Sequence, residues 1–271
     1  MAPRDELEQG NAAALWPSLV EIQRGGREAP LFCAHGLGGE IRGFLNLARH
    51  LSPKRPVYGL RSRGLDGKQE PRDRIEDMAA AYIEEMKSVQ PAGPYSVIGV
   101  SFGGFVAYEI ARQLSEQGQP IRLLGVMDTR KGLTPQLFLL NLLLLPFSEK
   151  MAFYRAVAGA RAHGKALAHQ VAARAGADSP PQSIGAVRTA NSIASRQYRP
   201  KPFRGRMTYI RATGLIAPAV AKRLDYAWEP LCRGGVEALD LPCDHWSVLH
   251  EPRVQLLAER LESCLSRTSN E

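Results

Sequence analysis

The sequence predicts an α/β fold, with a mainly parallel central sheet that has helices on both faces. Short apolar runs alternate with amphipathic helical stretches from about residue 19, and a Gly-X-Ser-X-Gly pattern stands where one such run passes into a helix. This alternation then breaks, because residues from about 133 to 197 are apolar or alanine-rich and contain no clear strand. We therefore expect a helical lid insertion there, over the carboxyl edge of the sheet.

Before the serine, the alternation gives four strands and two helices. The predicted strands are short apolar runs, at Ser18–Ile22, Pro30–Ala34, Pro56–Leu60 and Tyr95–Val100. The predicted helices, in which apolar residues recur at three- and four-residue spacing, are Phe44–Leu51 and Ile75–Val89. Pro91 and Gly93 end the second helix.

After the serine, the pattern continues on both sides of the insertion. The predicted elements are a helix at Gly103–Gln117, strands at Ile121–Met127, Arg206–Arg211 and Val236–Leu239, and a final helix at about Pro252–Ser266. Residues 1–17 are polar and alanine-rich, and we expect a flexible tail or the stub of a linker. Residues 18–271 are predicted to form a single domain, a length that α/β domains reach.

The composition excludes several classes of protein. The net charge is +8, but the basic residues are scattered among acidic ones and no nucleic-acid motif occurs, so no nucleic-acid partner is expected. The most apolar stretch, Leu137–Leu145, is too short to span a bilayer, and the polar amino terminus has no signal-peptide pattern. Four cysteines at irregular spacing predict neither a metal site nor a disulfide scaffold, which favours a cytoplasmic protein.

The sharpest local signal is Gly99-Val100-Ser101-Phe102-Gly103, between a predicted strand and a predicted helix. A serine nucleophile has to project from a tight turn, and glycines two positions to either side let the strand and the helix approach closely. The alternative is an ordinary glycine-rich turn. In this setting the pattern favours Ser101 as the nucleophile of an α/β-hydrolase fold.

Serine needs a general base, which follows it in the chain order of this fold. His245 lies in the loop after the last predicted strand, and His250 is its competitor. The remaining histidines lie before the serine or in the predicted insertion, at His35, His50, His163 and His169.

The base in turn needs an acid to hold it. Asp128 stands directly after a predicted strand, although an aspartate there is also a common helix cap. Asp225, Asp240 and Asp244 also follow the serine, but Asp244 would point away from His245 on an extended backbone. Asp225, well past the strand predicted at Arg206–Arg211, is the alternative acid.

Attack on a carbonyl creates an oxyanion that backbone N–H groups can stabilise. Phe102 follows the nucleophile and offers one N–H, and the glycine-rich loop His35–Gly39 follows an early strand. Leu37 in that loop is our candidate for the second donor. The alternative, a phosphate-binding turn, lacks any nucleotide-binding glycine pattern.

These residues resemble a known family, the thioesterase domains of non-ribosomal peptide synthetases and polyketide synthases. The matching segments are His35–Gly39, Val57–Leu60, Gly64–Gly67, Gln90–Tyr95, Gly99–Gln113, Val126–Asp128 and Asp244–His245. The resemblance covers about residues 19 to 265. It implies an α/β-hydrolase fold with a helical lid, the triad Ser101, Asp128 and His245, and the oxyanion donors Leu37 and Phe102.

The resemblance also implies a substrate and a partner. The expected substrate is an acyl or peptidyl thioester on the phosphopantetheine of a carrier protein, with no cofactor or metal of the chain's own. Release would follow an acyl-serine intermediate, with hydrolysis as the default and cyclisation as the alternative. The basic residues that we expect to face an acidic carrier are Lys54, Arg55, Arg61, Arg63 and Lys68.

Two departures from the family pattern qualify these expectations. Cys243 stands where the family usually has glycine, and its side chain is expected to affect the placement of His245. No carrier domain precedes this chain, so we expect either an enzyme that acts in trans or a piece of a larger one. The alternatives to a thioesterase are a general carboxylesterase or acyltransferase with the same triad, and a non-catalytic ligand-binding relative.

Overall fold

The computed structural model describes residues 18–129, 181–214 and 228–267, and within these residues the chain forms one seven-stranded sheet. The strands are β1 (Leu19–Gln23), β2 (Leu31–Ala34), β3 (Val57–Leu60), β4 (Tyr95–Val100), β5 (Ile121–Met127), β6 (Met207–Ala212) and β7 (Val236–Leu241). Their order across the sheet is β1-β3-β2-β4-β5-β6-β7. β1 pairs antiparallel with β3, and all the other pairs are parallel. The predicted mainly parallel sheet is confirmed.

Helices cover both faces of this sheet. They are α1 (Gly43–Ala48), α2 (Ile75–Val89), α3 (Phe102–Glu116), α4 (Pro181–Gln197) and α5 (Arg253–Ser266), with a 3-10 turn at Glu229–Leu231. The apolar stripes of α2 and α3 pack on one face in a core that also holds Ala194 of α4. Those of α1 and α5 pack on the other face. The inner strands β2 and β4 are buried on both sides, which explains their unbroken apolar sequences.

The sequence-based elements agree with the structure except at some of their ends. α1 ends at Ala48 rather than at the predicted Leu51. The N–H groups of His50 and Leu51 donate to carbonyls three residues back, so the chain tightens into a turn there. At the other end of the chain β7 continues to Leu241, two residues beyond the prediction, because it keeps its pairing with β6.

The predicted insertion is described only in its last part. Residues 181–197 form α4, as expected for a helical segment. The rest of the insertion lies outside the described residues, and so do the predicted tail at residues 1–17 and the apolar stretch Leu137–Leu145. In the described ranges, every helix falls short of the length and apolar character that a membrane span requires.

Candidate active site

Ser101 occupies a strained turn between β4 and α3. Its φ is 57° and its ψ is −120°, a conformation that residues other than glycine rarely adopt. The Ser101 N–H donates to the carbonyl oxygen of Met127 over 2.8 Å and fixes the turn to β5. A Cβ on Gly99 would lie 2.0 Å from the Gly103 carbonyl oxygen, and one on Gly103 would lie 2.4 Å from that of Ala34. The two glycines of the pattern are therefore required by close backbone packing.

The structure brings Ser101, His245 and Asp128 into one hydrogen-bonded chain. His245 Nε2 lies 3.1 Å from Ser101 Oγ, and His245 Nδ1 lies 2.6 Å from Asp128 Oδ2. A carboxylate can only accept, so the proton on Nδ1 faces Asp128 and the lone pair on Nε2 faces the serine hydroxyl. This is the arrangement in which the imidazole can take a proton from the hydroxyl.

Asp128 comes to this place because β5 and β6 end next to each other. Its N–H donates to the carbonyl oxygen of Ile210 over 2.8 Å, and its φ of 45° turns the chain sharply at the end of β5. Asp128 is buried, whereas His245 is about one-fifth exposed. The Asp128 carboxylate is therefore shielded from water, while the His245 imidazole remains partly exposed.

The described rivals of His245 and Asp128 have other partners or lie on the surface. Asp240 pairs with Arg211 over 2.5 Å, and Asp244 accepts hydrogen bonds from the N–H groups of Trp246 and Ser247. His250 is exposed. Three rivals from the sequence lie outside the described residues, namely His163, His169 and Asp225.

Cys243 was expected to affect the loop that carries His245. The Cys243 side chain packs in the core beside α5, and its carbonyl oxygen accepts from the Gly214 N–H over 2.8 Å. The loop thus keeps His245 within hydrogen-bonding distance of both partners. Burial, and then the charges of Asp244 and Asp128, raise the pKa of the Cys243 thiol to about 11, so the side chain is neutral.

The two predicted oxyanion donors lie on neighbouring loops. Ala34 at the end of β2 pairs with Gly99 near the end of β4, which brings the loops that hold Leu37 and Phe102 together. Phe102 begins α3, where N–H groups have no intrahelical acceptor. In the described part of the chain the Leu37 N–H meets no backbone acceptor either. Both groups are therefore available to an oxyanion.

Three residues that support these loops were missed by sequence reasoning. Thr129 donates to the Ser101 carbonyl, His35 bonds to the Gly36 carbonyl, and Asn191 donates to the Leu37 carbonyl. The position of Thr129 directly after Asp128 is the one signal that marks it. Asn191 lies in the insertion, where no motif distinguishes it.

The expected carrier-facing surface is wrong in part. Arg55 is buried and pairs with Glu28 and Glu262, so it holds the fold together. Lys54 precedes β3, at the edge of the sheet opposite to Ser101. The other three candidates follow β3 at the same edge as Ser101, namely Arg61, Arg63 and Lys68.

As for a metal, no cluster of three or more side chains that could hold an ion occurs in residues 18–129, 181–214 and 228–267.

Comparisons with known proteins match nearly the whole of this chain. The family model "Thioesterase domain" matches residues 29–265. A dimodular nonribosomal peptide synthase of Bacillus subtilis (strain 168) is 30% identical over 280 residues, which cover 95% of this chain and 11% of that protein. The malpibaldin synthetase of Mortierella alpina is 27% identical over 261 residues, which cover 92% of this chain and 4% of that protein. The chain thus spans about a tenth or less of the length of these two relatives.

Two solved structures also match most of this chain. The Vlm2 thioesterase domain bound with a dodecadepsipeptide has a TM-score of 0.67 and 26% identity, with 91% of this chain and 96% of that one covered. A four-domain nonribosomal peptide synthetase, holo-AB3403, also gives a TM-score of 0.67 and 26% identity, over 91% of this chain and 20% of that chain.

Proposed function

Since the chain belongs to the thioesterase-domain family, we propose that it is a serine thioesterase that releases an acyl or peptidyl chain from a carrier protein's phosphopantetheine arm. The observation that carries the proposal is the hydrogen-bonded chain of Ser101, His245 and Asp128, with distances of 3.1 and 2.6 Å. A mobile thiol arm is a good leaving group, and a serine activated by a histidine can displace it.

The first half of the reaction transfers the acyl group to the enzyme. His245 Nε2 takes the proton from Ser101, and Ser101 Oγ attacks the thioester carbonyl carbon. The negative charge that develops on the carbonyl oxygen is stabilised by the N–H groups of Leu37 and Phe102. The C–S bond then breaks, the thiolate takes the proton from His245, and the acyl group remains on Ser101.

The second half releases the product. Water gives a proton to His245 and attacks the acyl-serine carbonyl, the C–O bond to Ser101 breaks, and Ser101 recovers its proton. The product is then a free acid. An amine or hydroxyl of the acyl chain can replace water by the same proton transfers, and the product is then a cyclic molecule.

Asp128 has a separate part in both halves. Its carboxylate accepts from Nδ1 of His245 over 2.6 Å, which keeps the lone pair of Nε2 directed at Ser101. It also stabilises the imidazolium that forms when His245 takes the proton.

The proposed partner is an acyl or peptidyl carrier domain. Several relatives are peptide synthetases, and the chain matches a small part of each, which supports action on a chain made elsewhere in such an enzyme. Three candidates for contact with an acidic carrier remain at the same edge of the sheet as Ser101, namely Arg61, Arg63 and Lys68.

The experiment compares an N-acetylcysteamine thioester with the oxygen ester of the same acyl group, for a set of short and long acyl groups. We expect faster turnover of the thioester, measured as thiol release, and loss of turnover in Ser101→Ala. The control is Ser96→Ala, because Ser96 is a buried serine of β4 whose hydroxyl has no hydrogen-bond partner among the described residues. Turnover of oxygen esters alone would make the protein a carboxylesterase instead.

A further inference from the structure

Each oxyanion donor belongs to a peptide unit whose other polar group is fixed. The N–H of one residue and the C=O of the residue before it lie in one plane and point in opposite directions. The direction of the Phe102 N–H is therefore set by the Ser101 carbonyl, and that of the Leu37 N–H by the Gly36 carbonyl. Whatever holds these two carbonyl oxygens also aims the two donors.

The Ser101 carbonyl oxygen is held by Thr129. Thr129 Oγ1 donates to it over 2.7 Å, and the Gly104 N–H donates to it over 3.1 Å. Thr129 is buried, and its own carbonyl oxygen lies 3.2 Å from Nε1 of Trp228, which donates to it. The hydroxyl is thus presented by a residue that is itself fixed.

The structure also makes room for that hydroxyl. A Cβ on Gly104 would lie 1.8 Å from Thr129 Oγ1 and 2.8 Å from its Cβ. Only glycine at position 104 allows α3 to pass this close to Thr129. Gly104 therefore leaves space for the hydrogen bond from Thr129 to the Ser101 carbonyl, whereas Gly103 is required by the turn itself.

The Gly36 carbonyl oxygen is held in a parallel way by His35. Nδ1 of His35 lies 2.7 Å from it, and the Gly39 N–H donates to it over 3.0 Å. A carbonyl can only accept, so Nδ1 carries a proton, and Nε2 lies 2.9 Å from the hydroxyl of Tyr82. The imidazole is fully buried and stacks on the ring of Phe102, with centroids 5.7 Å apart.

Burial keeps this imidazole neutral. It lowers the pKa of His35 to about 4, against a smaller opposite effect of the hydrogen bond to Gly36. A neutral ring with its proton on Nδ1 can donate to Gly36 at the pH of ordinary assays. His35 therefore holds the Gly36 carbonyl oxygen in the way that Thr129 holds the Ser101 carbonyl oxygen.

We propose that Thr129 and His35 are positioning residues that aim and polarise the two N–H donors of the oxyanion hole. Each adds one side-chain hydrogen bond to a carbonyl that already accepts one backbone hydrogen bond. Preorganised donors stabilise a transition state more than donors that must reorient, and chains of hydrogen bonds polarise one another. The inference rests on the proposed function, because it assigns a role within that same site.

The central variants are Thr129→Val, which removes the hydroxyl and keeps the shape, and Thr129→Ser, which keeps the hydroxyl. We expect Thr129→Val to lower kcat about tenfold with little change in KM, since complete loss of an oxyanion donor costs about 100- to 1,000-fold. Thr129→Ser should restore most of kcat. The control is Thr189→Val, because exposed Thr189 donates in the same way to a carbonyl, that of Gly185, on α4.

The second readout is the affinity for a simple trifluoromethyl ketone, which adds Ser101 to form an oxyanion. We expect Thr129→Val to weaken this affinity by the same factor as kcat, and the rate at which a fluorophosphonate labels Ser101 should fall in parallel. A structural role alone would lower the melting temperature without this parallel loss. His35→Phe, which retains a ring against Phe102, should produce the same pattern.

Either of two results would overturn the inference: wild-type kcat and inhibitor affinity in a folded Thr129→Val, or a fall in kcat with inhibitor affinity unchanged. If Thr129→Val does not fold, Thr129→Ala and His35→Phe are judged by the same two criteria. Inhibitor affinity and fluorophosphonate labelling need no thioester. They therefore test the inference even if the wild-type protein turns over no thioester and the proposed function fails.

Discussion

The hydroxyl of Tyr198 donates to Oε2 of Glu109 over 2.8 Å and ties the end of α4 to the middle of α3. Glu109 is buried and also accepts hydrogen bonds from Arg112 and Gln113. Burial alone would raise the pKa of Glu109, but these hydrogen bonds outweigh it and lower the pKa. The helix that returns from the insertion is thus fixed by a buried carboxylate to the helix that begins after Ser101.

Tyr198→Phe removes one donor from this carboxylate and leaves the ring in place. We expect it to lower the free energy of unfolding by about 1.5–3 kcal/mol, the usual contribution of a hydrogen bond to a charged group. Urea unfolding measures it. Tyr58→Phe is the control, because the half-buried Tyr58 hydroxyl has no hydrogen-bond partner in the described residues. Equal stability of Tyr198→Phe and the wild type would show that the hydrogen bond does not support the fold.

Gly104→Ala should lower both stability and turnover, because its new methyl group would collide with Thr129. Alanine in place of a glycine within a helix ordinarily stabilises by up to about 1 kcal/mol. Gly185→Ala on α4 tests that ordinary gain, since no atom of the described residues lies within 4 Å of its added Cβ. We expect the melting temperature to fall for Gly104→Ala and to rise for Gly185→Ala. Turnover should be lost in Gly104→Ala alone. A gain in stability at both positions would contradict the packing described for Thr129.

Asp128→Asn keeps the shape of the acid but removes its charge and its purely accepting character. We expect kcat to fall about 1,000- to 10,000-fold, because the imidazole is then free to turn the wrong tautomer toward Ser101. Asp240→Asn should cost little, since Asp240 forms an exposed ion pair with Arg211. Asp225→Asn completes the comparison, because Asp225 is the other acid that the sequence allows. A large loss with Asp225→Asn and a small one with Asp128→Asn would reverse the assignment of the acid.

His35 makes stability depend on pH. Its pKa is lowered to about 4 in the folded protein by burial, from an ordinary value of about 6.5. As the pH falls from about 6.5 to 4, the unfolded chain takes up a proton that the folded protein does not, so stability falls. The difference amounts to about 3 kcal/mol over this range.

The measurement is urea unfolding of the wild type and of His35→Gln at several values of pH. The variant should be less stable at pH 7, where its hydrogen bonds are lost, but should show a flatter dependence below pH 6.5. His250→Gln, at an exposed position, should follow the wild type. An unchanged pH dependence in His35→Gln would mean that His35 is not the group responsible.

The strands and the meeting of Ser101, Asp128 and His245 were predictable because both depend on local patterns. β2 and β4 are apolar throughout since both of their faces are buried. Ser101 stands between glycines that strand-to-helix packing requires, and Asp128 and His245 each follow a strand of the same sheet. In a parallel sheet the carboxyl ends of the strands meet at one edge, so residues far apart in sequence become neighbours there.

The parts that the sequence did not reveal depend on contacts between distant segments. Arg55 is a basic residue in a loop, but Glu28 and Glu262 approach it from distant parts of the chain and bury it. Thr129 and His35 act through carbonyl groups of other residues, and no spacing rule records a hydrogen bond to a carbonyl. The loop after β7 was expected to be sensitive to Cys243, yet the core has space for this side chain.

The most direct test is the intact mass of the protein after brief incubation with acyl thioesters, followed by peptide mapping. We predict a mass increase equal to the acyl group, located on Ser101, in the wild type and in Ser96→Ala. Ser101→Ala should show none. An acyl adduct on another residue, or turnover of thioesters by Ser101→Ala at the wild-type rate, would contradict the serine mechanism.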